Sequence, residues 1–297
     1  PRRVMLLLFL APCLVGGAVS TAPTVGTASS AFWSGKRVLL AGASSGLGEA
    51  LALELSSRGA SLVLAARRAD RLVSIADDCA RTSGLAAPCT LPMDVTDSEA
   101  LQAKACEAAE LLGGPIDVLC YAAGVGQRTL ACDTDAVGHR RLMATNFEGA
   151  VSLTQSVLPS MLERSSGNLV VVSSVQGFFG QPGRSSYAAS KAAMLGYFDA
   201  LRAEVAAQGV GVTVVAPGYI ATDHAASAVG GDGAADDNSK KGMPPEELAC
   251  LIADAVEQKQ PQVLASQLDG RLAILLRAIW PSALFKIMEG KARKGKY

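Results

Sequence analysis

The chain has 297 residues, of which 49% are hydrophobic, and 27 lysines and arginines balance 27 aspartates and glutamates. This length and apolar content suffice for one large folded domain, while the even charge balance argues against nucleic-acid binding, which favours a basic face. The two histidines, His139 and His224, form no constellation of ligands, so we predict no metal site.

The first segment, residues 1–35, differs from the rest of the chain. Arg2 and Arg3 precede the apolar run VMLLLFLAPCLVGGAV, and small residues follow it. This pattern is typical of a cleaved secretory signal, whereas a membrane anchor needs about 20 apolar residues, and a plastid-targeting leader is a third alternative. We expect a membrane anchor in the endoplasmic reticulum system with a cytosol-facing domain, although the positive-inside rule draws the basic N-terminus toward the cytosol instead.

Apolar runs alternate with helix-forming segments from residue 36 to residue 265. The runs are VLLA, LVLA, APCTL, IDVLCYA, NLVVVS, VGVTVVAP and QVLA. Continuous apolar strands separated by helices predict a parallel sheet that is covered on both faces. With right-handed crossovers the result is an α/β fold with a doubly wound parallel sheet, a Rossmann fold, in a single domain.

A glycine-rich segment, AGASSGLG, follows the first of these runs. Glycine is needed where the backbone turns sharply or where a ligand approaches main-chain atoms closely. Amides at the start of the next helix then face a pyrophosphate, and the serine hydroxyls add donors. The predicted dinucleotide contacts in this turn are Gly42, Ser44, Ser45, Gly46, Leu47 and Gly48.

Two arginines follow the second apolar run. In dinucleotide folds an acid about 20 residues after the glycine turn binds the ribose 2′-hydroxyl, but Ala66, Arg67 and Arg68 occupy this place. A guanidinium binds a 2′-phosphate with paired hydrogen bonds. We therefore predict NADP(H) as cofactor, with Arg67 on the phosphate; for Arg68, phosphate binding and a solvated helix start are equally supported.

Tyr187 and Lys191 lie four residues apart in the helix-forming run YAASKAAMLGYFDALRAEVAA. Four residues make about one helical turn, so both side chains leave the same face. A cation beside a phenol lowers the tyrosine pKa, and such a group exchanges a proton with a carbonyl or alcohol oxygen near neutral pH. The pair is therefore a candidate proton donor.

These motifs resemble the short-chain dehydrogenase/reductase family from about residue 36 to about residue 265. The resemblance implies Ser174, thirteen residues before the tyrosine, as a second catalytic hydroxyl. It also implies that Asn146, in MATNFEG, supports Lys191 through a water. The further cofactor contacts that it implies are Asp94, Val95, Ala123, Gly124, Tyr187, Lys191, Pro217, Gly218, Ile220 and Thr222.

The resemblance also implies a reaction, the reversible reduction of a ketone or aldehyde. Tyr187 protonates the carbonyl oxygen, Ser174 orients it, and Lys191 lowers the Tyr187 pKa and holds the nicotinamide ribose. The stretch SSYAASKAAMLGYFDALRAEV and the segment PGYIATD look most like the membrane-associated branch that includes acyl- and alkyl-dihydroxyacetone-phosphate reductases. That branch implies a hydrophobic, lipid-derived small-molecule substrate, and family members often form homo-oligomers.

One segment departs from the family pattern. Members usually carry Asn-Asn-Ala-Gly after the fourth strand, where this chain has Tyr121, Ala122, Ala123 and Gly124. Ala122 cannot make the hydrogen bonds of an asparagine and Tyr121 is much larger, so we expect altered local rigidity or cofactor grip. The same change motivates an alternative function, an NADP(H)-binding scaffold or sensor with little turnover.

Residues 266–297 form a C-terminal extension. Apolar residues recur there at helical spacing before Trp280 and Pro281; they are Leu268, Leu272, Leu275, Leu276 and Ile279. A basic tail follows. An amphipathic helix with an interfacial tryptophan and a cationic flank lies on an anionic bilayer, and the same pattern equally fits a helix packed on the domain or in a dimer contact.

Overall fold

The centre of the molecule is a seven-stranded parallel sheet with the strand order β3-β2-β1-β4-β5-β6-β7. The computed structural model describes residues 32–222, 228–231 and 241–295. His224 and the predicted leader, except for its last four residues, lie outside these ranges. The strands are β1 (Arg37–Ala41), β2 (Ser61–Ala66), β3 (Cys89–Pro92), β4 (Val118–Tyr121), β5 (Gly167–Val172), β6 (Val210–Val215) and β7 (Gln262–Val263).

The strand order reverses at β1, which pairs in parallel with both β2 and β4. Leu39 at its middle is opposite Val63 on one side and Leu119 on the other. Open parallel sheets bind ligands at such a reversal, outside the carboxyl ends of the strands. The glycine turn after β1 and the loop after β4 therefore meet at one crevice.

Helices cover both faces of the sheet, as the apolar runs predict. They are α1 (Gly46–Ser57), α2 (Ala69–Ser83), α3 (Leu101–Leu111), α4 (Ala136–Met143), α5 (Gly149–Glu163), α6 (Ser185–Val205), α7 (Pro245–Glu257), α8 (Leu268–Ile279) and α9 (Pro281–Arg293). Alternate side chains of β1 enter opposite cores, Leu40 with α1, α2 and α7, and Leu39 with α3, α5 and α6. This arrangement confirms the predicted doubly wound fold.

The folded domain begins before the predicted boundary at residue 36. Trp33 is fully buried in the core, and its indole Nε1 donates to the carbonyl of Ala253 on α7 at 3.3 Å. The amide of Gly35 donates to the carbonyl of Gly59 at 2.9 Å. Residues 32–35 thus belong to the domain, because a buried indole closes the core there.

The C-terminal extension folds as α8 and α9, joined at Trp280. Ala273 of α8 and Leu284 of α9 are buried against Val175 and Phe179, in the loop that follows β5. One face of this helical hairpin therefore packs on the domain, which was one of the alternatives. Within the described ranges, no helix combines the length and the apolar content needed to cross a bilayer.

Candidate active site

Ser174, Tyr187 and Lys191 come together beyond the carboxyl end of β5. Ser174 lies two residues after the end of β5, and α6 carries Tyr187 and Lys191 one turn apart. The Tyr187 hydroxyl is hydrogen-bonded with the Ser174 side chain. The Lys191 Nζ lies 5.8 Å from the centre of the Tyr187 ring. The structure thus joins the predicted hydroxyls and the amine in one place.

Lys191 is a buried amine, with 4% of its surface exposed. Its Nζ donates to the carbonyl of Val172, the last residue of β5, at 2.8 Å. Burial lowers the pKa of Lys191 to about 7, because a low-dielectric environment disfavours the charged form. Burial thus opposes the charged form of this amine.

Burial is also the largest influence on Tyr187 and raises its pKa, while the hydrogen bond with Ser174 and the charge of Arg184 lower it. The sequence assigned the lowering of this pKa to Lys191. The structure instead makes burial the dominant influence, so the pKa of Tyr187 lies above its ordinary value. The influences that lower it come from Ser174 and Arg184, while the Lys191 amine bonds to a backbone carbonyl.

Ser174 is fixed between two loops of the carboxyl edge. Its Oγ accepts from the amide of Gln176 at 3.2 Å and lies 3.4 Å from the carbonyl of Pro217, to which it donates. The amide of Val175 donates to the same carbonyl at 3.0 Å. The predicted Pro217–Gly218 segment after β6 thereby orients the serine that follows β5.

Asn146 lies in a π-helical segment, Ala144–Glu148, between α4 and α5. Its side chain accepts from the amide of Val125 at 2.8 Å and donates to the Val125 carbonyl at 3.0 Å and to Ser190 Oγ at 2.9 Å. Ser190 Oγ in turn donates to the Tyr187 carbonyl at 2.8 Å. Asn146 is thus connected to α6 through Ser190, and its link to Lys191 through a water stays a prediction.

The departure at Tyr121 has a structural counterpart beside Asn146. Tyr121 is fully buried, and its hydroxyl donates to the carbonyl of Thr145 at 2.6 Å. A Cβ on Gly149 would lie 2.7 Å from this hydroxyl, so the glycine makes room for it. The phenol of Tyr121 therefore braces the π-helical segment, while Ala122 has no polar side-chain atom and its amide donates to the carbonyl of Ala41.

The glycine turn is shaped for a close approach of main-chain atoms. Gly42 and Gly46 have φ of +88° and +56°. A Cβ on Gly42 would lie 2.4 Å from the amide of Ala123, and one on Gly46 would lie 3.1 Å from Thr222. Ser45, the N-cap of α1, makes no side-chain cap bond among the described residues. The amides at the start of α1 therefore fit an anionic group.

The two arginines after β2 take different places. Arg68 closes on the glycine turn, donating to the carbonyl and the hydroxyl of Ser44 at 3.0 Å each. Arg67 is exposed and lines a cavity of about 280 Å³ with Asp94 and Lys104. The other predicted cofactor contacts also follow the carboxyl ends of strands; they are Leu47, Gly48, Val95, Gly124, Gly218 and Ile220.

Sequence reasoning missed Gln127, which caps the catalytic helix. Its side chain is fully buried, and its Oε1 accepts from the amides of Ser186 and Tyr187 at 2.8 and 3.0 Å. Its Nε2 donates to Thr134 Oγ1 at 3.0 Å. A single glutamine in a loop has no spacing relative to α6 that identifies it, so only the fold reveals this cap.

A Rossmann sheet with a glycine turn at its switch point and a Ser–Tyr–Lys set on its carboxyl edge defines an oxidoreductase. It uses a nicotinamide cofactor and acts on a carbonyl or alcohol group. Residues 36–231 match the family model described as short chain dehydrogenase. The chain belongs to the short-chain dehydrogenase/reductase family.

Relatives in animals cover most of the chain. Dehydrogenase/reductase SDR family member 7B of Danio rerio is 41% identical over 269 residues, covering 87% of this chain and 86% of that protein. Dehydrogenase/reductase SDR family protein 7-like of Anopheles gambiae is 40% identical over 267 residues, covering 88% and 84%. The crystal structure of levodione reductase aligns with a TM-score of 0.71 at 24% identity, over 80% of this chain and 97% of that one, which shows the shared fold.

Proposed function

We propose that this protein reduces a hydrophobic, lipid-derived ketone or aldehyde with NADPH, in a reversible reaction. The observation that carries the reaction is the hydrogen bond between the Tyr187 and Ser174 hydroxyls, formed at the edge of the sheet where the glycine turn lies. Two hydroxyls in contact serve one carbonyl oxygen, since one protonates it while the other holds it in place.

Tyr187 is the proton donor in this proposal and Ser174 the orienting group. The Ser174 Oγ is itself fixed by Gln176 and Pro217, so a bound carbonyl oxygen meets a hydroxyl of defined direction. Lys191 holds its amine against Val172 behind the tyrosine ring. The bound nicotinamide supplies hydride chemistry, while these residues supply placement and the proton.

The preference for NADP(H) is supported by Arg67 at the end of β2. Its side chain is exposed beside the cavity that Asp94 and Lys104 line. Positions 66–68, where an acid would bind the ribose 2′-hydroxyl, contain no aspartate or glutamate. Arg68 is engaged by Ser44. Arg67 is therefore the residue that we assign to a 2′-phosphate.

Replacing Arg67 by Asp tests the cofactor. We expect KM for NADPH to rise by about tenfold or more, because a charge-assisted bond of about 1.5–3 kcal/mol is lost and a like charge is added. Arg81→Asp, at an exposed arginine of α2, is the matched control and should leave KM for NADPH unchanged. An unchanged ratio of NADPH to NADH efficiency in the Arg67 variant would refute the assignment.

A screen of lipid ketones and aldehydes for substrate-dependent loss of NADPH, with and without detergent, tests the reaction. Tyr187→Phe is the control for chemistry, and it should bind NADPH like the wild type while turnover falls by roughly 100-fold or more. Comparable turnover by this variant would remove Tyr187 from the mechanism. Cofactor binding without turnover across the whole panel would instead support the scaffold or sensor, which the Tyr121–Ala122 change suggested.

A further inference from the structure

The surface of the α8–α9 hairpin concentrates exposed apolar side chains. Ten large hydrophobic side chains are strongly exposed among the described residues, and six of them lie on this hairpin. They are Leu268, Leu272, Ile279, Trp280, Phe285 and Ile287. Trp280 is 62% exposed and Leu268 is 81% exposed. Clustered exposure of this kind marks an interaction surface rather than scattered surface residues.

The same hairpin is strongly cationic, although the whole chain has no net charge. Six basic and two acidic residues lie between positions 266 and 295. The guanidinium of Arg277 stacks over the Phe285 ring at 5.4 Å, which places a cation beside the apolar surface. The basic residues are Arg271, Arg277, Lys286, Lys291, Arg293 and Lys294. Apolar side chains bordered by cations match a surface that is apolar inside and anionic outside.

The inward face of the hairpin is attached to the active site. Ala273 and Leu284 pack with Val175 and Phe179, and Val175 is the neighbour of Ser174. A Cβ on Gly270 would lie 3.9 Å from the Val175 side chain. The exposed apolar side chains therefore lie on the same two helices that pack against the neighbour of the catalytic serine.

We propose that the α8–α9 hairpin seats this enzyme on an anionic lipid bilayer, with the catalytic edge facing the membrane surface. A second copy of the chain is the less suitable occupant, because pairing two such faces brings like charges together and lysine is depleted at the cores of protein interfaces. The docking itself is independent of turnover. Only its purpose, the supply of a bilayer-dissolved carbonyl substrate, rests on the proposed function.

Trp280 reports directly on this docking. The chain has two tryptophans, Trp280 on the hairpin and Trp33 in the core. The experiment mixes full-length protein with vesicles that contain phosphatidylglycerol and brominated phosphatidylcholine, and it measures the quenching of tryptophan fluorescence by bromine. We expect the fluorescence of Trp280 to fall roughly twofold, since interfacial helices insert their apolar face about 5–10 Å. The Trp280→Phe variant retains only Trp33 and should show no such quenching, however the rest of the chain binds vesicles.

Two substitutions separate the apolar contact from general effects. Phe285→Glu should raise the lipid concentration needed for half-maximal quenching by about tenfold, because a buried phenylalanine contributes about 1.5–3 kcal/mol. Val137→Glu, at a residue 63% exposed away from the hairpin, should leave it unchanged. Both variants should keep wild-type turnover of a water-soluble carbonyl, so a failure of docking is distinguishable from a failure of the enzyme reaction.

Equal quenching of the wild type and the Trp280→Phe variant would overturn the proposal, as would quenching that is the same without phosphatidylglycerol. So would a vesicle-free, concentration-dependent dimer that Phe285→Glu converts to monomer, because the face would then belong to a second copy.

Discussion

Lys191 is a buried amine whose charge costs stability. Burial lowers its pKa to about 7. Between pH 7 and the ordinary pKa of lysine, the unfolded chain therefore binds more protons than the folded one. The contribution of Lys191 to the free energy of unfolding therefore rises with pH across this window, because the proton that opposes burial is released.

At pH 7 we expect the free energy of unfolding of Lys191→Met to exceed that of the wild type by more than about 1 kcal/mol, since one pKa unit is worth about 1.4 kcal/mol. The difference should shrink as pH rises toward 10. Urea denaturation at a series of pH values measures it. Lys294→Met, at an exposed lysine, is the control, and a pH-independent difference for Lys191→Met would contradict the argument.

Tyr121 is the second residue whose role can be measured in isolation. Its hydroxyl bond to Thr145 braces the segment that carries Asn146. We expect Tyr121→Phe to lose about 1–3 kcal/mol of stability, because the Thr145 carbonyl loses a buried donor. We also expect kcat to fall about three- to tenfold, equivalent to about 0.7–1.4 kcal/mol, while KM for the cofactor stays nearly constant.

Tyr197→Phe is the matched control for this change. Tyr197 packs edge-on against Phe147 and Phe198, and phenylalanine keeps those contacts, so kcat should remain within about twofold of the wild type. If Tyr121→Phe loses stability but keeps the wild-type kcat, the phenol supports the fold alone and does not position Asn146.

At the scale of an element, α6 depends on a cap that comes from a distant loop. Among the residues that the structure describes, its own N-cap residue, Arg184, makes no side-chain cap bond, and Gln127 supplies the acceptor for the amides of Ser186 and Tyr187. A cap from outside the helix fixes both its start and its position, so it sets where the Tyr187 hydroxyl lies relative to Ser174.

We expect Gln127→Ala to cost about 1–2 kcal/mol of stability, the range for a lost helix cap. Turnover should fall by more than KM rises, because a small displacement of α6 separates the reacting groups. Thermal unfolding and steady-state kinetics measure both effects. Gln258→Ala, at an exposed glutamine after α7, should change neither, and a wild-type kcat for Gln127→Ala would show that the cap is dispensable.

The elements differ in how far the sequence predicts them. Buried parallel strands are continuous apolar runs, so all seven runs became strands. The last one ends at Val263 rather than at Ala265, because Val263 pairs with Val215, the last residue of β6. Helical spacing placed Tyr187 and Lys191 on one face of α6. By contrast, the bonds of Gln127 and Tyr121 depend on loop geometry and on tertiary contacts that no local pattern encodes.

At the scale of the whole molecule, the two halves of the sheet contribute different parts of the site. The glycine turn and Arg67 follow β1 and β2, whereas Ser174 and the Pro217 segment follow β5 and β6. Motif order along the chain predicted the members of the site. The pairing of β1 with β4 brings the halves together, so the site exists only in the complete sheet.

The buried indole at position 33 also determines where this protein can be cut. A chain that starts at residue 32 keeps the contact with Ala253, whereas one that starts at residue 36 leaves a hole the size of a tryptophan under α7. We expect the free energy of unfolding of the shorter chain, measured by urea denaturation, to be about 3–5 kcal/mol lower than that of the longer chain. Trp33→Ala in the longer chain should lower it by the same amount. Equal stability of the two truncated chains would show that the folded domain begins after Trp33. Otherwise, a protein expressed from the start of β1 will be less stable than one that keeps the indole.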